Sequence, residues 1–271
     1  MNLADAATIA RTPLAIALTI AIAIIYPLIG WYRFRRLEAR PDPVSRAVKL
    51  RLYTSVIVSQ WTLVGLVILL LARHGWGLDA LGQSAGVSNV RTALVSVALL
   101  AAFAFLSRFT LTQLAQAGPD DLPTHVRKAG RILPRDRVER AGFVPVAVTA
   151  GVCEEILYRG WVPWAIAGWT GSAPVGIVVA ALVFGAGHAY QGRNGMLLTG
   201  ALGLFLGAVV AWTGSLLPGQ FLHVAVDLVN GLAVGATLVR HDAERSKTAE
   251  PLESPEPLEG LEPVETPPLS D

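Results

Sequence analysis

Two adjacent carboxylates, Glu154 and Glu155, and a guanidinium, Arg159, stand in a stretch that is otherwise almost without charge. From about residue 143 to residue 239 the only other Asp, Glu, Lys or Arg side chains are Arg193 and Asp227, and two histidines, His188 and His223, join them. On a helix, Glu155 and Arg159 are four residues apart with the acid first, the favourable order for an ion pair. Glu154 lies about 100° round the same helix and has only Tyr158 on its own face. An unpaired carboxylate in an apolar setting is available as a general base or acid. His223 and Asp227 are again four apart and share a face. His188 follows the small residues Gly185, Ala186 and Gly187, which let another helix come close. These groups could activate a water, either directly or through a bound divalent metal. Imidazole and carboxylate are ordinary Zn2+ ligands, and Glu154, His188, His223 and Asp227 are the candidates to hold such an ion.

The elements that must position these groups are membrane helices. The chain has 271 residues, of which 53% are hydrophobic and only 15% charged, with a mean hydropathy of +0.51. Soluble domains carry about 25% charged residues. Apolar runs near 20 residues recur, the length that crosses a bilayer as a helix. The ten-residue alternation of a membrane β-barrel is absent. The expectation is an all-α polytopic membrane protein with about seven spans, near 13–32, 52–72, 92–114, 141–167, 174–190, 195–213 and 217–239. The polar site lies inside the membrane, where ionisable residues are costly and mark function. Pro27, Pro145, Pro163, Pro174 and Pro218 are places where these helices could break. The span at 195–213 is rich in Gly and Ala, which suits close packing.

Basic residues cluster at 33–51, 127–140 and 240–247. The positive-inside rule puts those segments in the cytoplasm, the N-terminus outside and the C-terminus inside, in a plasma membrane. A helix near 122–133 at the membrane interface is an alternative to a solvated basic loop. The expected organisation is an N-terminal three-span region (1–140), a four-span core carrying the polar residues (141–240) and a Pro- and Glu-rich disordered tail (241–271). The net charge of +2 gives no reason to expect nucleic acid as a partner. The partner expected is the lipid bilayer. The single cysteine, Cys153, excludes an intrachain disulfide.

Glu154-Glu155 with Arg159, Phe184 with His188, and His223 with Asp227, in that order on separate spans, resemble the motifs of the CPBP family. This family contains the CAAX prenyl endopeptidases and the bacterial Abi proteins linked to bacteriocin self-immunity. The resemblance covers about residues 141 to 235 and implies an intramembrane endopeptidase, of metallo or glutamate type, with 141–240 as its catalytic core and a peptide or membrane-protein substrate. It implies that Glu154 and His188 activate the attacking water and that His223 and residue 227 stabilise the oxyanion, with Glu155 and Arg159 as structural support. Residue 227 is Asp here, where the prenyl endopeptidases usually carry Asn. An ionised carboxylate repels an oxyanion, so Asp227 must be protonated, orient His223, or ligate a metal. The rival readings are a non-catalytic scaffold or immunity factor, and a proton-coupled transporter. A transporter calls for internal repeats, and no convincing one is present.

Overall fold

The structure, a computed structural model, describes residues 3–41, 43–83, 89–116, 118 and 124–248. The described residues are helical almost throughout. In chain order the helices are α1 (Leu3–Ala10), α2 (Pro13–Glu38), α3 (Arg46–Arg73), α4 (Val90–Gln116), α5 (Thr124–Gly130), α6 (Arg137–Thr170), α7 (Ala173–Gly187), α8 (Gly192–Thr213) and α9 (Leu217–Ala243). Six of them are long and apolar enough to cross a membrane: α2, α3, α4, α6, α8 (with the short turn before it) and α9. The seventh expected span is the shorter α7. Its 15 residues give about 22 Å of helix, less than a hydrocarbon core of about 30 Å. It ends at Gly187 rather than near 190, because a 3₁₀ turn at Ala189–Gln191 and Gly192 redirect the chain. His188 therefore sits just beyond α7, not within a span. The protein is a multi-pass helical membrane protein. The expected interfacial segment contains α5. Of the expected disordered tail, residues 241–248 are instead helical, continuing the last helix to Thr248, and residues 249–271 lie outside the described residues.

Helix ends follow local chemistry. Thr12 caps α2 by accepting from the Ala15 amide, with Pro13 at the first helical position. Asp136 caps α6 by accepting from the amides of Val138 and Glu139 at 2.8 and 2.9 Å. Gly171 and Gly214 close α6 and α8 at φ +72° and +71°, a left-handed conformation that favours glycine.

The central post is α6. Of its most apolar 18 residues 56% are buried, against 6% for α4 on the outside of the bundle. Cys153, Leu157, Trp161 and Ala165 on α6 pack with Ile22 of α2, Val67 and Leu71 of α3, and Phe184 of α7 in the largest core cluster. That core therefore joins the N-terminal spans to the helices bearing the polar groups.

Three helices contain a π turn: Ala21–Ile25 in α2, Ile156–Trp161 in α6 and Asn230–Val234 in α9. The first two end two residues before a proline, Pro27 and Pro163. Proline offers no N–H. In α2 the Tyr26 amide reaches back five residues to the Ala21 carbonyl, so the next donor in the π pattern would be the missing N–H of Pro27. The Ile22 carbonyl is left over, and the Tyr158 hydroxyl of α6 donates to it at 3.0 Å. One turn away, the Trp161 indole donates to Thr19 at 3.1 Å. The irregularity in α2 is thus bonded directly to the irregularity in α6.

Candidate active site

Glu154 and Glu155 are the last two residues of the regular part of α6, directly before its π turn. At about 1.5 Å per residue they lie near the middle of this 34-residue helix. Glu155 is fully buried. Its Oε1 is 3.1 Å from Nη1 of Arg159, the ion pair expected from the spacing. The same oxygen accepts from Nδ1 of His223 on α9 at 2.8 Å. Glu155 therefore does more than neutralise Arg159: it fixes the imidazole of His223 from behind.

With Nδ1 committed to Glu155, Nε2 of His223 faces the opposite way. It stands 3.9 Å from Oε2 of Glu154 and 3.8 Å from Oδ2 of Asp227. Both distances are too long for direct hydrogen bonds. The side chains grade from a closed floor to an open rim: Glu155 0%, His223 12%, Glu154 15% and Asp227 30% exposed. Glycines permit this approach. A Cβ on Gly219 would come 2.8 Å from Oε2 of Glu155, and one on Gly151 would come 2.7 Å from the Val224 backbone nitrogen.

His188 reaches the cluster through Phe184. Its Nδ1 is 2.9 Å from the Phe184 carbonyl, which can only accept, so Nδ1 carries the hydrogen and Nε2 of the neutral ring is an acceptor. The Phe184 ring lies between the two imidazoles, with centroids 4.7 Å from His188 and 6.1 Å from His223. The Arg159 guanidinium stacks over that ring at 3.9 Å, a favourable cation–π arrangement in a dry site. No carboxylate oxygen of Glu154 or Asp227 pairs with a His188 nitrogen.

Glu154, expected to lack any partner beyond Tyr158, has one on another helix. Gln60 of α3 donates from Nε2 to Oε1 of Glu154 at 2.7 Å. Reading the motifs missed this residue because it carries no charge and lies in a span outside them. The only available signal was a lone amide, Gln60, in the apolar run 56–71.

Among the described residues no three His, Cys, Asp or Glu side chains converge so as to hold an ion. The four candidate ligands do not fit a metal as they are placed.

The geometry defines a class: a multi-pass helical membrane protein with a carboxylate–imidazole cluster at the middle of its central helix. The family model described as type II CAAX prenyl endopeptidase Rce1-like matches residues 138–229. That segment spans Glu154, Glu155, Arg159, Phe184, His188, His223 and Asp227, and the match bears out the resemblance read from the motifs. No curated protein and no solved structure matches the chain.

Proposed function

We propose that the protein is an intramembrane endopeptidase of the CAAX-protease type, with Glu154 as its general base and acid. The observation that carries this reading is the pairing of Glu154 Oε2 with His223 Nε2 across a 3.9 Å gap, with His223 held from behind by Glu155. Glu154 takes a proton from water as the water oxygen adds to the scissile carbonyl carbon. The tetrahedral intermediate bears its negative charge on the former carbonyl oxygen. Glu154 then gives the proton to the amine nitrogen as the C–N bond breaks. Nε2 of His188 is an acceptor and serves as the second hydrogen-bond partner of the water. His223 donates to the oxyanion from Nε2, as the imidazolium. Glu155, Glu154 and Asp227 are the counter-charges around that cation, which gives the Asp at 227 a use that does not require it to touch the oxyanion.

The substrate is a peptide or membrane protein reaching the site from the cytoplasmic side, where the basic segments 33–51 and 127–140 lie. The N-terminus is outside and the C-terminus in the cytoplasm, in the plasma membrane.

The test uses purified protein in detergent with a panel of fluorogenic peptides. Glu154→Gln is expected to lower cleavage by at least about 100-fold while the protein keeps its melting temperature. Undiminished cleavage by that variant would overturn the reading, and binding without cleavage by the wild type would favour a scaffold. The arrangement described predicts that cleavage persists with a chelator. Cleavage lost to chelation and restored by Zn2+ would mean that the four side chains regroup around an ion.

A further inference from the structure

We propose that Gln60 is a positioning residue for Glu154, so that the N-terminal spans, outside the matched segment, complete the active site. The inference rests on the reading of Glu154 as general base. Gln60 is only 1% exposed, and its amide nitrogen is 2.7 Å from Oε1 of Glu154. A carboxylate only accepts hydrogen bonds, which fixes the sense of the amide: nitrogen toward Glu154 and oxygen away. With Oε1 held in this way, the rotation of the carboxylate is set, and Oε2 is the oxygen turned toward His223.

Packing alone does not account for an amide here. Gln60 Oε1 is buried without a hydrogen-bond partner, and an unsatisfied buried polar atom costs free energy. The neighbouring positions facing the core, Val64, Val67 and Leu71, are apolar. A methionine would fill the same volume without that cost. The benefit that offsets it is the bond to Glu154. The surrounding contacts keep the amide in register. Trp61, the next residue, donates to Thr149 of α6 at 3.3 Å, and Tyr26 of α2 stands beside Gln60 and Ser59.

Gln60 has an alternative role as mere adhesive between α3 and α6, since interhelical hydrogen bonds hold membrane helices together. The two roles separate in Gln60→Met, which keeps shape and loses the donor. A positioning role predicts kcat down by on the order of 100-fold, with KM and melting temperature close to wild type. An adhesive role predicts a lower melting temperature and unchanged kcat, and that result would overturn the proposal. If Gln60→Met does not fold, Gln60→Asn draws the donor back by one methylene and is read by the same split between kcat and KM.

A second readout does not depend on turnover. The infrared band of the Glu154 carboxyl group is identified by its disappearance in Glu154→Gln. It is expected to move in Gln60→Met, because its hydrogen bond is gone; an unmoved band counts against the bond. Cleavage unaffected by Glu154→Gln would instead defeat the endopeptidase reading and leave the infrared result to report on Gln60.

Discussion

Glu155 is the side chain on which the most depends, because one oxygen serves two partners. It balances Arg159 at 3.1 Å and receives the Nδ1 hydrogen of His223 at 2.8 Å, with both members of the ion pair almost fully buried. Removing one partner of a buried pair leaves an uncompensated charge and costs about 3–5 kcal/mol. Glu155→Leu is therefore expected to lower unfolding stability by that order, measured by denaturation in detergent. Adding Arg159→Met removes the stranded charge, and such apolar replacements of buried pairs are often neutral or better. The double variant should regain stability but not cleavage, because His223 still lacks the acceptor that aims it. Recovery of both together would show that Glu155 has no role beyond neutralising Arg159. The pair itself was legible in the sequence, since i and i+4 fix which residues meet on one helix. The bond to His223, 68 residues away, and that of Gln60 to Glu154, 94 residues away, were not. Periodicity says which face a side chain occupies and is silent on which helix comes to meet it.

Helices α6 and α9 can bring their polar groups together only because glycines stand where they cross. A Cβ on Gly219 would press on Oε2 of Glu155 at 2.8 Å and on its Cδ at 3.4 Å. That carboxylate is pinned by Arg159 and His223 and has nowhere to move. Gly219→Ala is expected to displace it and to lower cleavage on the order of 100-fold, with a stability loss of about 1–3 kcal/mol from overpacking. Gly200→Ala is the control, since its Cβ would meet nothing closer than 3.5 Å, and it should retain full cleavage. Equal behaviour of the two variants in a peptide assay would remove this account of the crossing. The small residues of 195–213 form the packing face that their spacing predicts, with Gly200 against Gly185. The prolines were only half legible. Pro27 and Pro163 each follow a π turn, whereas Pro145 lies inside α6 without such a turn, and Pro174 and Pro218 begin helices. A proline marks where an N–H is missing, but the neighbouring helix decides how the spare carbonyl is satisfied, as Tyr158 does for Ile22.

The active-site contact between α3 and α6 also depends on how their starts are fastened, some distance from Glu154. Lys49 near the start of α3 pairs with Glu139 of α6 at 2.9 Å in a buried setting. The same ammonium donates to the Leu133 carbonyl, and Tyr53 donates to Ile132. Lys49–Glu139 and Gln60–Glu154 follow one another in the same direction on both helices, so α3 and α6 run parallel and the first pair helps set the height of the second. Asp136 closes this fastening by capping α6 and pairing with Arg46 at 2.7 Å. It lies outside the apolar spans, and its carboxyl is held below the ordinary carboxylate range, first by the Glu139 amide and then by Arg46. A group whose pKa is lower when folded than when unfolded stabilises the fold above its unfolded pKa, and loses that contribution as pH falls through the folded value. Part of the melting temperature should therefore be lost on acidification below about pH 4, the ordinary range for Asp. Other carboxylates titrate in the same window, so the measurement is a comparison. Asp136→Asn can still cap α6 through its side-chain oxygen but has no proton to gain. Its melting temperature should start lower than wild type at neutral pH, because the pair with Arg46 is gone. It should then fall less steeply between pH 5 and pH 3. Parallel curves for the two proteins across that range would mean that Asp136 does not couple pH to the fastening of α3 and α6.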